Sequence, residues 1–119
     1  MNQTHNDFMK AANINAPEEC WCICLRMIMS ILSKIPLEKI LPDMTSVHFQ
    51  SSMKNDSWGN QEFIFELEDR LQIGFDITSV LSFPEFFYPG INQVKTVGEW
   101  VHEVIYSWLP TTVHKDLRW

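Results

Sequence analysis

The chain has 119 residues, 45% of them apolar and 20% charged, which suits one folded domain with a single modest core and excludes general disorder. The formal net charge is −6, carboxylates gather in the middle of the chain and no basic stripe is present, so a nucleic-acid binder is excluded and basic protein partners are favoured. No signal-peptide core opens the sequence, and the apolar run 20–32 is too short for a bilayer and carries Arg26, so the expectation is no membrane span and a cytoplasmic location.

Residues 1–14 read as a polar lead. Asn15-Ala16-Pro17-Glu18 then offers a helix start, with Asn15 as N-cap, proline in the first turn and Glu18 at the third position. Trp21, Cys24, Leu25, Ile28, Ile31, Leu32 and Ile35 follow at steps of three and four, an apolar helical stripe that Pro36 ends. Met27, Met29 and Cys22 make the opposite face less polar than usual, so part of it is expected to be covered as well. Cys20, Cys22 and Cys24 cannot easily converge on one metal, because a helix turns the middle residue away, and no histidine lies near to complete a zinc set. They read as reduced, small apolar residues, and no metal site is expected.

Residues 37–54 are loop-like but hold apolar anchors (Leu37, Ile40, Leu41, Val47, Phe49), which predicts a loop packed across the domain. A second helix is predicted over 58–71, with Phe63, Ile64, Leu67 and Leu71 as its core stripe and Gly74 as its stop. The stretch 76–95 is aromatic and broken by proline, and it predicts one short helix around 77–87. In the last helix Thr96 and Glu99 form a capping box, Val97, Trp100, Val101, Val104, Ile105 and Trp108 keep helical spacing, and Pro110 is the expected end. The domain organisation that results is a lead over 1–14, a helical domain over 15–109 and a tail over 110–119. The fold class is all-α, a small bundle of three to four helices with a long first loop.

The second helix has a face its core does not need. Trp58, Glu62, Phe65 and Asp69 sit at i, i+4, i+7 and i+11, flanked by Glu66 and Glu68. Two aromatics among carboxylates suit a protein-recognition face; the competing reading packs Phe65 and Trp58 under the long loop and leaves the carboxylates simply solvated.

The stretch "DSWGNQEFIFELEDRLQIGFD", residues 56–76, resembles the central helix of an acyl carrier protein, in which a modified serine in an Asp-Ser-Leu motif precedes an acidic amphipathic helix. Upstream, "MIMSILSKIPLEKILPDMTSVHF" is similar to the first helix and loop of that family, and "KTVGEWVHEVI" resembles its last helix, so the resemblance spans residues 16–107. It implies an acyl-carrier-type bundle, with Ser57 as the attachment site of a covalent 4′-phosphopantetheine arm and Asp56 as the acidic residue before it. It also implies that Trp58, Glu62, Phe65, Glu68 and Asp69 face partners: a phosphopantetheinyl transferase and acyl-processing enzymes with basic docking surfaces. The chain would then carry acyl or aminoacyl intermediates as thioesters and catalyse nothing itself. Departures from the pattern are Lys54 in place of a glycine, Trp58 in place of leucine, Gly59 in place of an acidic residue, and a longer aromatic segment before the last helix. These suit an alternative, a non-carrier acidic interaction protein (inhibitor or immunity-like) in which Ser57 is only a helix cap. His5, His48, His102 and His114 are scattered, and Glu66, Glu68 and Asp69 lack the spacing of a calcium loop, so no autonomous active site is expected.

Overall fold

Helices α1 (His5–Ala11) and α2 (Glu19–Ser33) open the chain, joined through a 3₁₀ turn, Ala16–Glu18. A second 3₁₀ turn, Leu37–Lys39, leads to α3 (Ser46–Gln50), α4 (Asn60–Leu71) and α5 (Ile77–Leu81). α6 (Val97–Glu103) continues through a π turn, Val104–Trp108, into α7 (Leu109–Thr112). The computed structural model describes residues 5–50, 60–72, 74–84, 86 and 95–112. Among them the fold is all-α, with one isolated antiparallel bridge, Thr45 to Thr96, and no strand.

The segment expected as a polar lead is part of the core. α1 buries Phe8 and Met9, and Ala12 and Ile14 follow them inside. This explains α2, which is covered on two sides: Cys22 and Met29 are fully buried along with Leu25 and Ile28, while Ile31 from the expected stripe is 49% exposed. The helix also starts later than Asn15, whose side chain caps nothing; the 3₁₀ turn intervenes. Its end does not wait for Pro36. Lys34 turns left-handed at φ 64°, its N–H reaching the Ser30 carbonyl at 2.8 Å, and the Ser30 hydroxyl donates to the Ile35 carbonyl at 2.6 Å.

The long loop is fastened by main chain, in keeping with the packed loop the sequence predicts. The Val97 N–H donates to the Met44 carbonyl at 2.7 Å and the Gly98 N–H to that of Pro42 at 2.9 Å. Gly98 permits this close approach, since a Cβ would lie 3.2 Å from the Pro42 oxygen and 3.4 Å from the Ala12 Cβ. Ile40 and Phe49 are buried as anchors, while Val47 is exposed.

α4 buries Phe63, Ile64 and Leu67 as predicted. Its stop is Gln72 at φ 57° rather than Gly74, and the Gln72 amide donates to the Asp69 carbonyl at 2.7 Å, which helps a non-glycine residue hold that conformation. α5 is shorter than the predicted 77–87. Asp76 caps it, accepting from the Ser79 N–H at 2.8 Å, and Phe83 and Phe86 leave the helix to enter the core.

These aromatics are why the proline-broken segment is so rich in rings. Phe83 stacks edge-on against Trp100 and Trp108 at 5.8 and 4.8 Å, Phe63 meets Trp100 at 5.0 Å, and Phe86 bridges Trp100 to Phe49. Both indoles find acceptors in the same segment: Trp100 Nε1 donates to the Pro84 carbonyl and Trp108 Nε1 to that of Ser79, each at 2.9 Å.

The capping box of α6 forms in both directions, Glu99 N–H to Thr96 Oγ1 at 3.1 Å and Thr96 N–H to Glu99 Oε1 at 2.9 Å. Every residue of the predicted stripe from Val97 to Trp108 is buried. Pro110 does not end the helix. The π turn shifts the bonding pattern, with the Leu109 N–H reaching the Val104 carbonyl, so Pro110 falls in the first turn of α7, where its missing N–H leaves no gap. The 110–119 tail therefore begins as helix; residues 113–119 lie outside the described part.

Candidate functional site

α4 carries the face singled out from the sequence. Its core residues Phe63, Ile64, Leu67 and Leu71 define one side, and Glu62, Phe65 and Asp69 lie about 180° round the helix from them. All three are exposed, and Phe65 keeps 58% of its surface open. Phe65 therefore does not pack under the long loop. Glu66 and Glu68 flank the line and are half-buried.

Glu68 has an internal task that its spacing did not announce. Its Oε2 accepts from the Phe75 N–H at 2.7 Å, tying the chain after α4 back to the helix. That leaves Glu62 and Asp69 as the exposed carboxylates beside Phe65. Asp56, Ser57 and Trp58, on which the attachment chemistry depends, lie outside the described residues.

An exposed ring flanked by carboxylates is the make-up of a protein-recognition face. Its chemistry suits a partner that presents an apolar pocket rimmed by lysine or arginine. Among the described residues no three His, Cys, Asp or Glu side chains converge for a metal ion. Nor is any described helix long and apolar enough to cross a membrane.

A second centre went unnoticed at the sequence level. Arg26, 2% exposed, lies with its guanidinium 4.2 Å over the Phe8 ring. Nη1 donates to His5 Nδ1 at 3.0 Å, and Nη2 donates to the Leu37 and Ile40 carbonyls at 3.1 and 3.3 Å. One side chain thus joins α1, α2 and the following 3₁₀ turn. Burial lowers the pKa of Arg26, with the Cys22 thiol a smaller opposing influence; burial also pushes Cys22 up to about 12, so that thiol stays protonated and inert. The signal was a single arginine inside the apolar run 20–32, where a charge is tolerated only with hydrogen-bond partners.

His102 likewise packs at a seam. Its Nδ1 donates to the Ala12 carbonyl at 2.9 Å, and the ring stacks on Tyr106 at 4.6 Å. Tyr106 OH in turn accepts from the Asn15 N–H at 2.9 Å. These contacts hold the N-terminal segment on α6 and leave the imidazole in a packing role.

In comparisons with family models, curated proteins and solved structures, nothing matches the chain.

Proposed function

We propose that this protein is an acyl-carrier-like protein that docks to biosynthetic enzymes through the outer face of α4. The observation that carries the reading is the exposure of Phe65 between Glu62 and Asp69, a large ring left in water beside charge, where the core has no use for it. The sequence supplies the rest: Ser57, preceded by Asp56, stands three residues before Asn60, the first residue of this helix, in the order of the acyl carrier family's attachment motif. On this reading Ser57 carries 4′-phosphopantetheine, whose phosphodiester charge is tolerated near the N–H groups at a helix start. The arm's thiol carries the acyl or aminoacyl cargo, and the transferase and acyl-processing enzymes meet the acidic face with basic surfaces.

Co-expression with a broad-specificity phosphopantetheinyl transferase, followed by intact mass measurement, tests it. A gain of one phosphopantetheine that vanishes in Ser57→Ala is the expected result. An unmodified chain across several transferases removes the carrier function.

Lys54, Trp58 and Gly59 favour a second reading, since each departs from the family's attachment motif. In it the same face of α4 serves a non-carrier acidic interaction protein, inhibitor or immunity-like, with Ser57 as a cap. Binding through Phe65 by a chain that stays unmodified distinguishes this case.

A further inference from the structure

Three sulfur atoms on α2 share one groove. Cys20, Cys24 and Met27 stand at i, i+4 and i+7, which places them along one side of the helix. All three line a cavity of about 280 Å³, together with Ile23 and, from α4, Arg70. Cys22 is not among them; it is fully buried elsewhere. Cys20 is exposed at the rim, Cys24 is only 9% exposed, and Met27 is 39% exposed. An exposed cysteine does nothing for a core, and cysteine is otherwise among the most buried residue types.

We propose that this groove binds a soft monovalent cation, Cu(I), through the Cys20 and Cys24 thiolates with the Met27 thioether as third ligand. Thiolate and thioether sulfurs select Cu(I) over harder metals. Three sulfur donors match its preference for few ligands, whereas a structural zinc site takes four from nitrogen, thiolate and carboxylate.

The binding step balances without a redox partner. Each thiol releases its proton to solvent as an S–Cu bond replaces the S–H bond, and copper remains +1. Two thiolates and one monovalent cation leave a single negative charge, and Arg70 supplies the positive charge beside it.

The test is an anaerobic titration of the reduced full chain against a coloured Cu(I) chelator. The expected result is withdrawal of one Cu(I) per chain, with a thiolate-to-copper charge-transfer band and protection of Cys20 from alkylation. Cys20→Ser, at an exposed position, keeps its helical circular dichroism and loses stoichiometric binding. Met27→Leu conserves volume and lowers affinity about tenfold or more. No withdrawal of copper, wild-type binding by Cys20→Ser, or unprotected Cys20 in the presence of one equivalent overturns the site. Unchanged affinity in Met27→Leu removes the thioether from it.

Discussion

The Arg26 guanidinium donates to His5 Nδ1 at 3.0 Å, a contact between α2 and α1 that lasts only while that ring nitrogen is free of a proton. The pKa of His5 is lowered from its ordinary 6.5, first by burial and then by Arg26, with Glu19 pulling weakly the other way. A lowered folded-state value means that the unfolded chain takes up the proton first as pH drops. The stability from this contact is therefore fully present above the ordinary histidine range and is lost as pH falls through the lowered value. Urea midpoints measured at about pH 7 and about pH 5 should fall further for the wild type than for His5→Gln, which cannot titrate. Parallel losses in the two proteins would show that other groups govern the acid limb.

Arg26→Lys is not a conservative change at this position. An ammonium cannot fork to His5 and to both the Leu37 and Ile40 carbonyls, and the stacking over Phe8 is weakened. Leaving two carbonyls short of a donor is expected to cost about 2–3 kcal/mol in urea unfolding. Arg26→Ala should cost at least as much, because the buried stem is lost too.

Gly98→Ala places a methyl group 3.2 Å from the Pro42 oxygen, a carbonyl that the Gly98 N–H itself holds in place. The loop must withdraw or the hydrogen bond must lengthen, at an expected cost of about 1–3 kcal/mol. Amide exchange should quicken at Val97 and Gly98 before it does elsewhere in α6, and unchanged protection there would count against the crowding.

Glu62→Lys with Asp69→Lys reverses the charge beside Phe65, and Phe65→Ala removes the ring. Phe65 and Asp69 are exposed, so stability should move by no more than about 0.5 kcal/mol at each of these two. Affinity for a basic partner should fall sharply in both variants, by calorimetry against an acyl-processing enzyme or transferase. Wild-type affinity in both would leave α4 as scaffold alone.

What could be read from the sequence depended on how long each pattern ran. The stripe from Val97 to Trp108 and its capping box repeat over three turns, and every member is buried as its spacing requires. α1 was hidden because seven residues hold only Phe8 and Met9 as core contacts, too few to show a period. Cys22 and Met29 gave the second buried face of α2 away in part, whereas Met27 from the same expectation stays exposed and the helix that lies over this side could not be read. Gln72 took the stop expected of Gly74 because a side-chain hydrogen bond offsets the left-handed strain, an effect no residue preference encodes. On α4, spacing identified Phe65 as surplus to the core, but Glu68's hold on Phe75 needed the turn that follows.

The widened turn at Val104–Trp108 works as a register spacer. Excising a single residue inside it would restore i→i−4 bonding to Val104 and keep Leu109, now 6% exposed, on nearly its present side of the helix axis, because the five residues of this turn close on the point that four reach in a regular helix. A residue lost from the regular turns before it would instead rotate Leu109 by about 100° about the axis and out of the core.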